Sequence, residues 1–198
     1  MLVTNSSVRT SLRERKRLAA MKRVQAEAVR RFMTDGFAGV TVEEIAAAAE
    51  VSPMSVYRWF GTKEALVVWD EFDPPILGEL ADRLDRGQAP LAAVRETLTA
   101  LLADVYDRER ALALDRTRLI FSEPALLAAA DRNSRGMQQA FADLFAMRGG
   151  RDPLAARALA GVAGALLATA IDEWQRHDGV RSLAELIDDV FTIVEEAP

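Results

Sequence analysis

The spacing of apolar residues predicts helices along the whole chain. Apolar side chains recur at three- and four-residue intervals between Gly and Pro positions, and no segment shows a sustained two-residue alternation of β-branched or aromatic residues. The first helical segment carries one apolar stripe, formed by Leu18, Met21, Val24, Ala28 and Phe32. We therefore predict an all-α fold of about nine helices.

Helix-start signals place three helices in the first third of the chain. The first helix is predicted to begin at Ser11, which can cap it, and to end at Gly36. Thr41 and Glu44 have the spacing of a capping box, so a second helix should begin there. Ser52, with proline at the next position, is predicted to cap the third.

The second and third predicted helices have the arrangement of a helix-turn-helix motif. Only residues 50–52 separate them, and a longer amphipathic helix precedes them. Val56 and Phe60 fall on one face of the third helix and are predicted to be buried, which leaves Tyr57 and Arg58 on the other. Such an exposed face suits the reading of a DNA major groove, although well-capped helix pairs also occur in proteins that do not bind DNA.

Charge separates this part of the chain from the rest. The formal net charge is −5, but residues 1–63 contain 11 basic and 6 acidic residues, and the remainder contains 14 basic and 24 acidic ones. A positive field at one end favours contact between that end and a polyanion. The basic cluster in residues 13–23 is more typical of a solvated helix face than of a binding site, so Arg15 and Arg17 are secondary candidates for phosphate contacts.

Three linked segments, Gly36-Phe37, Thr41–Ala46 and Val51–Leu66, resemble the N-terminal signature of the TetR family of bacterial regulators. The resemblance covers residues 13–66. It implies a three-helix DNA-binding domain over residues 1–65 and a ligand-binding and dimerisation domain over residues 66–198.

The resemblance also implies roles for residues of the motif. Tyr57 and Trp59 should contact phosphate and sugar, Lys63 should clamp the DNA backbone, and residues 53–55 and 58 should face bases. Met54 departs from the family pattern, which usually has glycine there, so close backbone contact at that point is in doubt. The complete predicted DNA-binding set is Thr41, Ser52, Pro53, Met54, Ser55, Tyr57, Arg58, Trp59 and Lys63.

Beyond residue 66 the pattern predicts helices near 90–108, 110–121, 124–148, 153–176 and 181–196, with Pro74-Pro75 ending or kinking the fourth helix. The last two carry small residues at four-residue spacing and a matching apolar stripe, so we predict a dimer interface there. These stripes could instead belong to the core of one subunit. The predicted interface residues are Gly161, Gly164, Leu167, Ile171, Trp174, Leu183, Leu186, Ile187, Val190, Phe191 and Val194.

A ligand cavity is expected among the middle helices if the resemblance holds, although an apolar stripe is more often plain core. The candidate lining is Trp69, Phe72, Leu98, Leu102, Val105, Phe121, Met137, Phe141 and Phe145. The segments 69–75, 116–126 and 170–174 resemble a TetR subfamily that includes the regulator of mycofactocin clusters. That resemblance implies acyl-CoA as effector, with Arg116 and Arg118 as partners for its phosphates.

Several function classes are disfavoured by composition. The chain has no cysteine and one histidine, His177, which argues against thiolate and zinc sites, and it carries neither a G-x-S-x-G nor a phosphate-loop motif. We expect neither an enzyme nor a bound metal or cofactor. No secretory signal is visible, and the longest uncharged apolar stretch is 14 residues, short of the roughly 18–20 needed to cross a bilayer. A cytoplasmic protein without membrane contact is therefore expected.

The sequence thus predicts a ligand-responsive transcriptional regulator that recognises specific DNA. We expect a homodimer that binds palindromic double-stranded operator DNA as a repressor and is released by a small apolar or acyl-CoA-like effector. The alternative is a helical small-molecule-binding dimer that does not bind an operator.

Overall fold

A computed structural model describes residues 11–196, apart from the side chains of residues 103–108. The described backbone is entirely helical in its regular structure, which confirms the all-α prediction. It forms two compact units that meet in sequence at Val67 and Val68. The helices are α1 (Leu12–Asp35), α2 (Val42–Ala48), α3 (Pro53–Phe60), α4 (Ala65–Val68), α5 (Asp73–Asp85), α6 (Pro90–Arg108), α7 (Arg110–Ser122), α8 (Pro124–Met147), α9 (Pro153–Arg176) and α10 (Leu183–Glu195).

The first unit is built on α1. Ser11 caps the helix by accepting a hydrogen bond from the Glu14 amide at 3.1 Å, and Gly36 ends it with a φ of +80°, a conformation that glycine adopts without strain. The apolar stripe is buried from Met21 onward, and Phe32 is 2% exposed. Leu18 was predicted to belong to this stripe, but residues 11–19 of α1 are all exposed.

The count of helices differs from the prediction at the fourth helix. The fourth helix was expected to end or kink at Pro74-Pro75, whereas the structure has a short α4 and a separate α5. Pro74 and Pro75 lie in the first turn of α5, where the missing proline N–H leaves no hydrogen bond unmade. The two prolines therefore open a helix instead of ending one.

The second unit surrounds one apolar core. Helices α8 and α10 pack against α9, and α6 packs against α10 and α5. Trp174, Phe145 and Phe191 are buried at its centre, each no more than 1% exposed. Leu80 of α5 and Leu98 of α6 join the same cluster. Burial of these side chains supplies the main favourable free energy that holds the helices together.

Among the described residues, one helix, α9, is long and apolar enough to cross a membrane by length and composition. An 18-residue window of it has a mean hydropathy of 1.8, and 22% of that window is buried. Ala156, Ala163 and Trp174 of this helix lie in the apolar core, where they face α8 and α10. Core helices commonly have this composition, so the hydropathy of α9 is weak evidence for a membrane span.

Candidate functional site

The N-terminus of α2 is fixed by a complete capping box. The Glu44 amide donates to the Thr41 hydroxyl oxygen at 3.2 Å, and the Thr41 amide and hydroxyl each donate to Glu44 Oε2 at 2.8 Å. These hydrogen bonds, first the one from the Thr41 backbone, lower the pKa of Glu44. Thr41 was predicted to contact DNA; its side chain is exposed, with its hydroxyl already bonded to Glu44.

The turn between α2 and α3 is tight and contains a left-handed residue. The Val51 amide donates to the Ala46 carbonyl at 3.0 Å, which closes the turn. Glu50 has a φ of +55°, in the region that favours glycine. Sequence analysis did not identify this residue, because nothing in its side chain signals a positive φ.

α3 begins where its sequence predicts, and one of the two residues predicted to be buried on it is buried. The Ser55 amide donates to Ser52 Oγ at 3.2 Å, and Pro53 occupies the first turn. Val56 is 1% exposed and anchors the helix to the first unit. Phe60, which was predicted to be buried beside it, is only half-buried.

The opposite face of α3 is open to solvent. Met54 is 74% exposed and Tyr57 is 45% exposed. Pro53 and Arg58 are also exposed, whereas Ser55 and Trp59 are half-buried. A short helix that presents a thioether, a phenol and a guanidinium together offers both apolar and hydrogen-bonding groups to a DNA groove.

Tyr57 and Arg58 are each held by a weak contact within the first unit. The Tyr57 hydroxyl donates to Glu43 Oε1 at 3.3 Å, which connects α3 to α2. Partial desolvation, followed by the negative charge of Glu43, raises the pKa of Tyr57. Arg58 Nη2 lies 3.5 Å from Ser55 Oγ, at the outer limit of a hydrogen bond, so its guanidinium remains available to other partners.

Lys63 lies in a setting that the sequence did not predict. Its ammonium group donates to the Phe37 carbonyl oxygen and lies 4.5 Å from the centroid of the Phe37 ring and 5.3 Å from that of Phe32. The two rings pack edge to face at 4.9 Å. Lys63 therefore joins the segment after α3 to the end of α1 by a hydrogen bond and cation–π contacts, and its role as a phosphate clamp stays a prediction.

The candidate ligand residues divide into three groups in the second unit. Six belong to the apolar core or pack against it: Phe72, Leu98, Leu102, Met137, Phe141 and Phe145. Trp69 is half-buried, and the side chain of Val105 lies outside the described residues. Phe121 is 45% exposed, so its assignment to an internal cavity is corrected to the surface of α7.

The two arginines predicted to bind ligand phosphates are both engaged with carboxylates. Arg116 Nη2 lies 3.0 Å from Asp70 Oδ2, at a site where both side chains are about four-fifths buried. Arg118 is exposed and pairs with Asp178 at the surface. Arg118 is thus placed away from the apolar core, whereas Arg116 lies at its polar edge.

A polar cluster that sequence analysis missed surrounds Arg116. Burial, and then the charge of Asp70, raises the pKa of Asp73 to about 6, against the lowering effects of a hydrogen bond from Asn133 and the charge of Arg116. Asp70 also accepts a hydrogen bond from the Phe72 amide at 3.0 Å. The run of acidic residues before Pro74 was the available signal, but their partners come from α7 and α8, far along the chain.

Five of the eleven predicted dimer-interface residues lie in the core of a single subunit. Core burial accounts for Trp174, Leu183, Leu186, Ile187 and Phe191, each no more than 7% exposed. Gly164 faces α8, where an added Cβ would overlap the Gln138 side chain. The assignment of the five buried residues to a dimer face is corrected accordingly, whereas that of half-buried Gly164 stays a prediction. Their stripes are amphipathic because they bury against neighbouring helices of the same chain.

Five of the predicted interface residues remain at or near the surface. Gly161 is exposed and an added Cβ there would meet open space, and Val194 is 41% exposed. Leu167, Ile171 and Val190 are half-buried. The exposed side of α9 also carries Leu154 and Val162, which are 70% and 38% exposed.

Family comparisons match both parts of the chain. Residues 26–68 match the family described as bacterial regulatory proteins, tetR family. Residues 88–197, more than half of the chain, match the MftR C-terminal domain. The chain belongs to the TetR family. The helix-turn-helix of α2 and α3 is thus the DNA-binding motif of a transcription regulator, and family membership does not favour the enzyme class.

Two relatives illustrate where this TetR-family chain is similar to characterised sequences. The HTH-type transcriptional regulator TcmR of Streptomyces glaucescens is 35% identical over 148 residues, which are 71% of this chain and 65% of TcmR. The chain therefore spans about two thirds of that relative's length. A protein named as a mycofactocin biosynthesis transcriptional regulator, MftR of Mycobacterium tuberculosis, is 26% identical over 91% of both chains.

A solved structure shares the fold. The crystal structure of FadR of Thermus thermophilus, a TetR family transcriptional repressor in complex with lauroyl-CoA, superposes with a TM-score of 0.53. The match covers 89% of this chain and 93% of that one at 22% identity. At this identity, the likeness shows a TetR-type arrangement of helices.

Proposed function

We propose that the chain is a cytoplasmic, homodimeric repressor that binds specific palindromic operator DNA and leaves it when a small molecule binds the second unit. The observation that carries the proposal is the open face of α3. Met54, Tyr57 and Arg58 project from a helix whose underside is fixed by buried Val56, within a matched TetR-family helix-turn-helix. Such a face can enter a major groove without unfolding or rearrangement.

The side chains of α3 divide by the contacts they are suited to make. Arg58 is the candidate base reader, because a guanidinium can bind guanine O6 and N7 in bidentate fashion. Met54 offers an apolar contact to a thymine methyl group. Tyr57, half-exposed and directed towards Glu43, is suited to a phosphate or sugar at the groove edge.

The effector is proposed to be an acyl-CoA or a similar apolar molecule. Support comes from the match to the MftR C-terminal domain and from the fold shared with FadR, whose crystal structure holds lauroyl-CoA. Phe141 belongs to the apolar core of the second unit, and Phe72 and Met137 pack against that core, which offers the apolar surroundings that an acyl chain requires. Arg116, at the polar edge of this cluster, is the candidate partner for the charged end.

The homodimer is proposed to form through the exposed side of α9. Leu154, Gly161 and Val162 are exposed along it, although their neighbours on the buried side are already packed in the core. An apolar helix face of this kind costs free energy in water and is typical of an interface between subunits. Val194 at the end of α10 is the second candidate contact.

Selection of DNA from a random pool tests the proposal. The wild-type chain should enrich a palindromic sequence, and Arg58→Ala should weaken binding to it by about 10- to 100-fold while relaxing the preference at one base position. Arg132→Ala, which removes an equally exposed arginine from α8, is the matched control and should change neither. Failure of the wild-type chain to enrich any sequence would contradict operator binding.

The recovered duplex then tests the effector. Saturating lauroyl-CoA should release the duplex in an anisotropy titration, because a ligand that binds the DNA-free state more tightly shifts the population towards it. Free CoA, which lacks the acyl chain, is the control and should release much less. Equal release by both compounds would exclude the apolar cluster as the effector site.

A further inference from the structure

A basic cleft lies in the first unit beside the recognition helix, between the start of α1 and the end of α3. Its volume is about 880 Å³, which is large enough for a nucleotide-sized phosphodiester. It is lined by Ser11, Arg13, Glu14, Lys16, Arg17, Ala20, Met21, Arg58 and Trp59. Four of these side chains are cationic and one is a carboxylate, so the cleft has a net positive charge.

The charges in this cleft are not neutralised within the described chain. Farther along α1, Glu27 pairs with both Arg30 and Arg31, with nitrogen–oxygen distances of 2.6 Å. For Arg13 and Arg17, in contrast, no carboxylate of residues 11–196 lies within ion-pair distance. The first half of α1 thus presents unpaired guanidinium groups where the second half forms local ion pairs.

Helical spacing shows that these cations occupy a face that is elsewhere apolar. Arg13, Arg17, Ala20 and Val24 follow one another at three- and four-residue intervals, so they share one side of α1. Val24 is fully buried in the first unit. The same side of α1 is therefore basic surface at Arg13 and Arg17, where it lines the cleft, and apolar core from Val24 onward.

The position of these cations also opposes helix stability. Arg13 and Arg17 lie in the first turns of α1, where the partial positive charge of the helix N-terminus disfavours cations. Their contribution to the folded state is unfavourable or small, so folding does not account for their presence. An external anion that contacts both would compensate for this placement.

We infer that this cleft binds the phosphodiester backbone of the DNA strand next to the groove occupied by α3, and that Arg13, Lys16 and Arg17 form a second backbone contact separate from the helix-turn-helix. The inference rests on the proposed function. Guanidinium groups match phosphate oxygens in bidentate geometry, and the indole N–H of half-buried Trp59 adds a neutral donor on the cleft wall. Contacts of this kind fix register and strengthen binding to every sequence.

The charge of the cleft is tested with two matched double variants of the full chain. R13Q/R17Q removes two cations that line the cleft, and R23Q/R30Q removes two exposed cations of the same helix that do not line it. Both keep good helix formers and change the net charge equally. The probes are the duplex recovered by selection and a random-sequence duplex of the same length, titrated by anisotropy at several salt concentrations.

R13Q/R17Q should weaken binding to both duplexes by about 10- to 100-fold, and the slope of log affinity against log salt should fall by about one for each arginine in each subunit. The ratio of affinities for the two duplexes should stay within about twofold of wild type, because a backbone contact carries no base preference. R23Q/R30Q should retain most of the wild-type slope.

Two results would overturn the inference. The first is a wild-type slope in R13Q/R17Q, and the second is an equal loss in both double variants, which would indicate a general field instead of a binding cleft. Thermal unfolding shows whether the double variant is folded. R13Q/R17Q should melt at or slightly above the wild-type melting temperature, because the two removed cations lie near the helix N-terminus. If the wild-type chain binds neither duplex, the proposed function fails, which is distinguishable from failure of the cleft alone.

Discussion

The pKa of Asp73 is raised by its burial in the polar cluster around Arg116. Asp73 begins α5 next to the Asp70–Arg116 ion pair, and its pKa is raised to about 6. A carboxyl whose pKa is higher in the folded state binds its proton more tightly there than in the unfolded chain. Its contribution to stability is therefore greatest below about pH 4 and is lost as the pH rises through about 6.

Asp73→Asn should therefore stabilise the protein at pH 7.5 relative to wild type and have little effect at pH 4. The gain should be about 1 kcal/mol, less than the full pKa change implies, because the site is partly solvated and screened. Urea unfolding at both pH values measures it, with Asp82→Asn, an exposed residue of the same helix, as control. An equal effect of Asp73→Asn at pH 4 and pH 7.5 would contradict the raised pKa.

At the residue scale, local hydrogen bonds were predictable from the sequence, whereas long-range contacts and unusual backbone angles were not. The caps at Ser11, Thr41 and Ser52 were predictable, since each is a bond between residues three apart. Lys63 was predicted only as a phosphate clamp, because its contact with the Phe37 carbonyl spans 26 residues. Glu50 gave no signal of its positive φ, since residues with a Cβ rarely adopt this conformation and glutamate is not among those enriched in it.

Among the helices, boundaries were easier to predict than partners. The starts of α1, α2 and α3 follow from local caps. The predicted start of α9 at residue 153 is confirmed, and the structure adds that the Asp152 carboxylate accepts from the Leu154 and Ala155 amides. The stripe on α10 correctly indicated a buried face, yet it could not show whether the same chain or a second copy covers it. The structure assigns Leu183 and Phe191 to the subunit core.

The exposed apolar side of α9 is the proposed contact between the two subunits of the dimer. Val162→Glu places a charge on the exposed apolar side of this helix and should dissociate the dimer in analytical ultracentrifugation, since an unpaired buried charge is costly. Leu127→Glu on α8 is the matched control, because Leu127 is 43% exposed and Val162 is 38% exposed. A monomeric wild-type chain, or a Val162→Glu variant that still dimerises, would exclude this face.

The whole chain combines a basic first unit with an acidic second unit. On the proposed function, the excess of cations in the first 63 residues should direct DNA towards the first unit, and the acidic remainder should disfavour nonspecific binding elsewhere. Sequence alone identified this division and the family, because both depend on composition and on a linked motif. It could not identify the basic cleft, which exists only when the start of α1 is brought beside Arg58 and Trp59.

Disulfide cross-linking tests most directly whether the open face of α3 enters a major groove. The chain has no cysteine, so Met54→Cys introduces a single thiol at a residue that is 74% exposed. The partner is the selected duplex with a thiol tethered in the major groove, and Met147→Cys, 82% exposed on α8, is the control. Met54→Cys should cross-link at defined base positions and the control should not; equal yields from both, or cross-links only to a minor-groove tether, would contradict the assignment of α3 as the recognition helix.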